Sequence, residues 1–355
     1  CYAFAAIANF ESKILMDGAA TLPDPDYSEN NAKECNYRQR SCSGGNYDML
    51  ASLFSQKGVV NESCDPYVPG YVDCNSTCPY QKTLTDWRII SGTSIPDTTL
   101  LKNYIMTYGP VYTTLGVEYL PGFSSYDGSY TINYTGLSPD HAVLIVGWND
   151  SDPLHPDQQT GQPGSGWIVK NSWGSGWGDQ GYFYIHYGAA NIGMYSSFVY
   201  SWEDYNPNGG IMYYDEGGMS NALGFSPPST TAWGLCDFTP QSNTYATSVE
   251  FWTWDATTDI DVYLYDDFDG SSLSNLRRSQ TNYSFSEAGY HQVRLDSPLP
   301  LTSGNDVIVV VKFTNNASIY PISFDNIGPW ETNRTYVCLL YTSPAHETVL
   351  DLVCR

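Results

Sequence analysis

Helical periodicity is confined to the first 110 or so positions of this 355-residue chain, and strand-like segments fill the rest. That ordering limits the fold more than any other feature. The opening segment CYAFAAIANFESKIL is Ala-rich and places Phe4, Ile7 and Ala8 on one face, which predicts a buried helix. In NYDMLASLFSQKG, Tyr47, Leu50, Ala51 and Phe54 fall at i, i+3, i+4 and i+7, with Gly58 as the stop. A third helix fits TLLKNYIMTYG: Leu101, Tyr104, Ile105 and Tyr108 share a face, Asp97 caps it and Gly109-Pro110 ends it. From Val111 the chain turns to short β-branched or aromatic runs, VYTTLGV, HAVLIVGW, GWIVKNSW and GYFYIHYG, punctuated by glycine. Helices first and strands afterwards predict an α+β domain over 1–202. A polar, Pro/Gly-containing stretch around Trp202-Glu203-Asp204-Tyr205-Asn206-Pro207 then leads into a second domain over 203–355. There TSVEFWTW, DVYLYD, YHQVRL, DVIVVVKF and TYVCLLY alternate with turn signals, the pattern of an all-β sandwich.

Charge and cysteine content narrow the setting. Fifteen basic against 38 acidic residues give a formal charge of −23, a field that repels nucleic acid and anionic membranes. No apolar run is long enough to span a bilayer as a helix. Of nine cysteines, Cys35, Cys42, Cys64, Cys74 and Cys78 crowd into one loop-rich stretch, which suggests disulfides and an extracellular or cell-surface location. Zinc fits less well, because no second Cys/His pair follows Cys74 and Cys78 at finger-like spacing. Seven N-x-S/T sequons (Asn61, Asn75, Asn133, Asn149, Asn282, Asn316, Asn333) are compatible with a glycosylated surface.

Three positions carry the materials of thiol catalysis. Such chemistry needs a thiolate at a helix start, an imidazole as acid and base, and a third group to orient the imidazole. Cys1 opens the first helix, where the helix dipole favours negative charge on sulfur. His141 begins the strand HAVLIVGW, and Asn171 follows the strand WIVK. The polar segment WNDSDPLHPDQQTGQPGSG between them reads as a loop insertion, a change loops absorb cheaply.

Five segments in order, CYAFA, YSENNAKECN, CSGG, DHAV and KNSWGSGWGDQGY, make the first 200 or so residues resemble the papain family of cysteine peptidases. His141 stands 140 residues after Cys1, inside the separation of about 130–150 typical of that signature, and Asn171 lies somewhat beyond it. The resemblance implies a two-lobed catalytic domain, one lobe helical and one barrel-like. It implies that Cys1 is the nucleophile, His141 the general acid/base, Asn171 the orienting group and Trp173 a shield over the Asn–His hydrogen bond. It further implies that Gly44 and Gly45 pair with the substrate backbone, and that Tyr47, Pro139, Asp140 and Ala142 wall the pocket for the residue two before the cut. Tyr47 also fits the core stripe of its own helix. Cys35 is expected to bridge to Cys74, and Cys64 to Cys78. In the family a glutamine that donates to the oxyanion hole and a cysteine partner for Cys42 precede the nucleophile, so the resemblance implies a segment upstream of Cys1. Among Cys236, Cys338 and Cys354 at most one bridge is possible. No metal or organic cofactor is called for.

The second domain resembles the lectin-like β-domain appended to some archaeal and bacterial papain-like peptidases, through EDYN, AWG, AGYHQVRLDSPLPLTSGND and VVVKF followed by YPI. That likeness implies glycan or cell-surface binding. The acidic run DIDVYLYDDFDG, with Asp259, Asp261, Asp266, Asp267 and Asp269, carries oxygen ligands of the kind calcium takes, but it reads more simply as strand ends and a turn. Two functions therefore compete: a secreted cysteine endopeptidase acting on protein or peptide substrates through an acyl-enzyme, and a surface structural or adhesive protein that merely retains the fold.

Overall fold

The computed structural model describes all residues except 39, 227, 317, 330–332, 341–351 and 355, and the backbone alone at 258, 339–340 and 352–354. Two compact units divide the chain, Cys1–Tyr205 and Asn206–Arg355.

The first unit holds four helices, α1 (Tyr2–Met16), α2 (Glu29–Glu34), α3 (Tyr47–Gln56) and α4 (Thr98–Tyr108). Its strands are β1 (Val59–Val60), β2 (Tyr80–Ile89), β3 (Val111–Leu115), β4 (Thr131–Ile132), β5 (His141–Asp152), β6 (Gly164–Lys170), β7 (Tyr182–His186) and β8 (Met194–Asp204). They run in the order β2-β8-β3-β5-β6-β7-β4, antiparallel except where β4 pairs with β7, and β1 pairs with β2. In β7 the alternation is clean: Phe183 and Ile185 are fully buried between half-buried Tyr182, Tyr184 and His186. They join Val143, Ile145, Trp167 and Val169 in the core of the sheet lobe.

The helical lobe packs around α1, but not on the expected face. Ala3, Ala6, Ile7, Phe10 and Ile14 are buried, whereas Phe4 and Ala8 face a cleft. An Ala-rich helix offers apolar atoms all round, so periodicity alone could not choose the face. Phe10 meets Tyr27 and Phe54 edge-on. Asn9, buried among them, donates from Nδ2 to Pro110 O (2.6 Å) and accepts at Oδ1 from Val199 N (2.7 Å). One amide side chain thus ties α1 to the start of β3 and the middle of β8. Asp97 caps α4 as expected, accepting from Thr99 N at 2.8 Å, and Gly109 ends it at φ 98°.

Two disulfides close the loops beside α2: Cys35–Cys74, the pair the resemblance implied, and Cys64–Cys78, the additional local bridge expected there. Among the described residues Cys1, Cys42 and Cys236 have no disulfide partner. Cys338 is disulfide-bonded, its partner's side chain lying outside the described residues.

The second unit is all β. Its strands are β9 (Asn221–Leu223), β10 (Thr231–Phe238), β11 (Thr244–Thr253), β12 (Thr257–Phe268), β13 (Leu273–Phe285), β14 (Ala288–Leu301), β15 (Val307–Asn315), β16 (Ile322–Phe324), β17 (Thr335–Leu340) and β18 (Leu352–Cys354). A six-stranded sheet runs β13-β12-β15-β10-β17-β18, β11 pairs with β14, and β16 pairs with β9. Val249 and Phe251 of β11 and Val293 and Leu295 of β14 pack on Ile260, Val262, Val311 and Phe313 of the larger sheet. Two layers sharing that core are the expected sandwich. The acidic run lies largely on β12, where its charges have separate duties. Asp259 and Asp261 share Lys312 Nζ at 2.9 Å each, Asp266 pairs with Arg277 at 2.6 Å, and Asp269 caps the turn at Ser271 and Ser272. Among the described residues no set of three or more His, Cys, Asp or Glu is placed to hold a metal ion.

Candidate active site

The catalytic candidates come from three separate elements. Cys1 is the N-cap of α1, exposed, with its carbonyl accepting the first helical bond from Ala5 N at 2.9 Å. Its side chain therefore sits at the positive end of a 15-residue helix, which stabilises a thiolate. His141 opens β5 and is buried at the sheet end. The His141 backbone pairs with Leu115 of β3, which fixes the ring's point of departure.

Asn171 leaves β6 with its backbone N–H bonded to Gly181 O at 3.0 Å. Its Oδ1 lies 2.8 Å from His141 Nε2 and also accepts from Ser172 N at 2.8 Å. An amide oxygen accepts only, so Nε2 carries the N–H in this bond and Nδ1 is not engaged by Asn171. Burial lowers the His141 pKa, opposed by the Asn171 hydrogen bond and by the charge of Asp140.

An aromatic wall stands beside this pair. The Trp173 ring lies 5.4 Å from the His141 ring and is 42% exposed. Phe123 packs edge-on against Trp173 (5.1 Å) and Trp177 (5.0 Å), and Trp177 Nε1 donates to Phe123 O at 3.0 Å. Sequence reading missed Phe123 and Trp177 as parts of the site. Trp177 lay inside the quoted KNSWGSGWGDQGY segment, but Phe123 had no motif to announce it.

The remaining candidates divide by position. Gly44, at φ 91°, has open space where a side chain would be, and any other residue would be strained there. A Cβ on Gly45 would meet Met49 Cε at 2.5 Å and Tyr2 Cδ2 at 2.7 Å, so its smallness is a packing requirement. Tyr47 is 8% exposed, stacked on Trp87 and edge-on to Tyr112, and serves the core stripe of α3. Asp140 accepts from Val117 N (2.7 Å) and Glu118 N (2.9 Å) and so pins the 116–118 loop beside His141. Pro139 is half-buried before it. Ala142 lines a small open cleft with Phe4, Glu11, Glu29, Lys170 and Asn171. Burial pushes the Glu11 carboxyl up to about 7 and the Glu29 carboxyl up to about 8.

The fold brings His141 and Asn171 into hydrogen-bond contact and sets the Cys1 thiol at the start of α1. Residues 1–202 match the family described as papain family cysteine protease, and residues 211–335 match the lectin-like domain. The chain belongs to the papain family of cysteine proteases. It is 31% identical over 197 residues to Peptidase 1 of Euroglyphus maynei, covering 55% of each. With falcipain-3 of Plasmodium falciparum it shares 27% identity over 183 residues, 51% of this chain and 35% of that protein. The chain thus spans about a third to just over half of these curated relatives. Among solved structures it resembles the clostridial cysteine protease Cwp84 after propeptide cleavage, with a TM-score of 0.74 at 21% identity, covering 95% of this chain and 87% of that one. A crystal structure of the cysteine protease and lectin-like domains of Cwp84, a surface layer associated protein of Clostridium difficile, gives a TM-score of 0.73, covering 99% and 79%. At that identity the likeness shows the fold.

Proposed function

We propose that the protein is a secreted cysteine endopeptidase whose Cys1 attacks peptide carbonyls, with residues 1–202 as catalytic domain and 203–355 as lectin-like domain. The observation that carries this reading is the His141 Nε2–Asn171 Oδ1 bond of 2.8 Å, which directs the other ring nitrogen away from Asn171. In the resting site the Cys1 proton resides on His141, giving a thiolate–imidazolium pair that the helix dipole and the Asn171 amide both favour. The sulfur adds to the carbonyl carbon, the C–N bond breaks, and His141 gives its proton to the leaving amine. Water then attacks the thioester as His141 takes a proton, and the acid product leaves with the thiolate restored. Gly44 offers its backbone to an extended substrate strand where a side chain would obstruct it.

The reading of a structural or adhesive protein without turnover is favoured by no feature of this site. A protein without that duty has no physical need for a buried histidine held by an amide beside a tryptophan. Hydrolysis of a fluorogenic peptide library by the reduced protein, abolished in Cys1→Ala and in His141→Ala with unchanged melting, supports the peptidase. Folded, reduced wild type that cleaves no member of the library nor casein contradicts it. The second domain is proposed to hold the enzyme to glycans, on the strength of its family.

A further inference from the structure

One end of the second unit gathers three turns. The β11–β12 turn lies between Thr253, paired with Gly289, and Thr257, paired with both Phe285 and Asn315. Those registers set the turn at 254–256, the β13–β14 turn at 286–287 and the loop after β15 side by side. Asp255 strengthens the junction, since its carboxylate accepts from Ser318 N across the gap. Within the loop, Tyr320 N donates to Ser318 Oγ at 3.2 Å, which fixes Tyr320 relative to that anchor.

The side chains displayed there are unusual for a sandwich end. Trp254 is 44% exposed, Ile319 43% and Tyr320 51%, the Tyr320 ring lying over Gly224. Around them stand Asp255 and Glu287, with the exposed amide Asn316 and the Ser286 hydroxyl, which donates to Glu287 at 2.7 Å. No lysine or arginine is present among the described residues of the three turns. Flat aromatic faces carrying a polar tip suit the C–H face of a pyranose, and oxygen acceptors suit its hydroxyls. The absence of cations disfavours anionic polymers, phosphate and acidic lipid surfaces.

We propose that this end of the second unit is a saccharide-binding site for chains of neutral or amino-bearing sugars, which stack on Trp254 and Tyr320 and give their hydroxyl or amino protons to Glu287 and Asn316. Asp255 is a positioning residue that locks the Tyr320 loop to the Trp254 turn. The inference rests on the reading of the second domain as glycan-binding and names where that binding occurs.

The test uses the full chain as its Cys1→Ala variant, to prevent self-cleavage, in affinity electrophoresis and calorimetry with mannan, chitosan oligomers and alginate. Binding to mannan or chitosan oligomers but not alginate is expected. Trp254→Ala and Tyr320→Ala should weaken that binding tenfold or more with unchanged melting, while Trp254→Phe retains most of it. Binding that survives both alanine changes at full strength overturns this site but leaves the glycan-binding reading standing. Preference for alginate overturns the proposed sugar class. If the unaltered domain holds none of the three, the site and the reading fall together, and the peptidase assignment is untouched.

Discussion

Raising the pH from 5 to 9 should destabilise this protein, and Glu29 should be a principal reason. Glu29 starts α2 and faces the cleft shared with Glu11, Lys170 and Asn171. Burial, and then the nearby charges of Glu11, Glu62 and Asp26, push its carboxyl from 4.5 up to about 8. The folded state therefore keeps a proton that the unfolded chain releases above about pH 4.5. More protons in the native state means that unfolding free energy falls as pH rises, through the window from about 4.5 to 8. At about 1.4 kcal/mol per pH unit the shift sets a ceiling of roughly 5 kcal/mol. The side chain is only half-buried, so solvent screening leaves about 2 kcal/mol to be expected. Urea unfolding of Cys1→Ala and Cys1→Ala/Glu29→Gln proteins at pH 5, 7 and 9 measures it. The Gln variant, which has no proton to lose, should lose about 2 kcal/mol less across that range. Parallel pH profiles for the two proteins would refute the argument.

Asn9→Ala leaves Pro110 O and Val199 N without their partner, each orphan costing about 1–3 kcal/mol, so the variant should melt far earlier in calorimetry. Gly45→Ala drives a methyl into Tyr2 and Met49; it should cost about 1–3 kcal/mol in urea unfolding and raise KM for peptides. Asn171→Ala removes a bond that holds the His141 proton, so kcat should fall and the alkaline limb of kcat/KM should move to lower pH. Asp140→Asn should move that limb in the same direction by less, since it removes only a neighbouring charge and loosens the 116–118 loop.

How much of this was legible in the sequence follows from what kind of signal each part leaves. Helices α3 and α4 declared themselves because one face is apolar and the ends carry stops or caps. The six-residue α2 did not, because ENNAKE is polar throughout. Its buried side chains are satisfied from distant residues, with Asn30 and Asn31 donating to Asp65, and Lys33 donating to Gly70 O. Strands β2 and β13 escaped for the same reason, being rich in Gln, Lys, Thr, Arg and Ser. At the site, His141, Asn171 and the glycine pair sat in short motifs, since their chemistry or backbone allows few substitutes. Phe123, the Asp140 clamp on the 116–118 loop and the cleft carboxyls act through packing between segments far apart in the chain. No local pattern could record that.

The central claim is that Cys1 is a nucleophile activated by His141. Reaction of the reduced protein with a thiol-directed epoxysuccinyl peptide, followed by peptide mass mapping, tests it directly. The account predicts one adduct per chain, on Cys1 and not on Cys42 or Cys236, and its loss in His141→Ala. No adduct on Cys1, or labelling of Cys1 and Cys42 alike with or without His141, would contradict it.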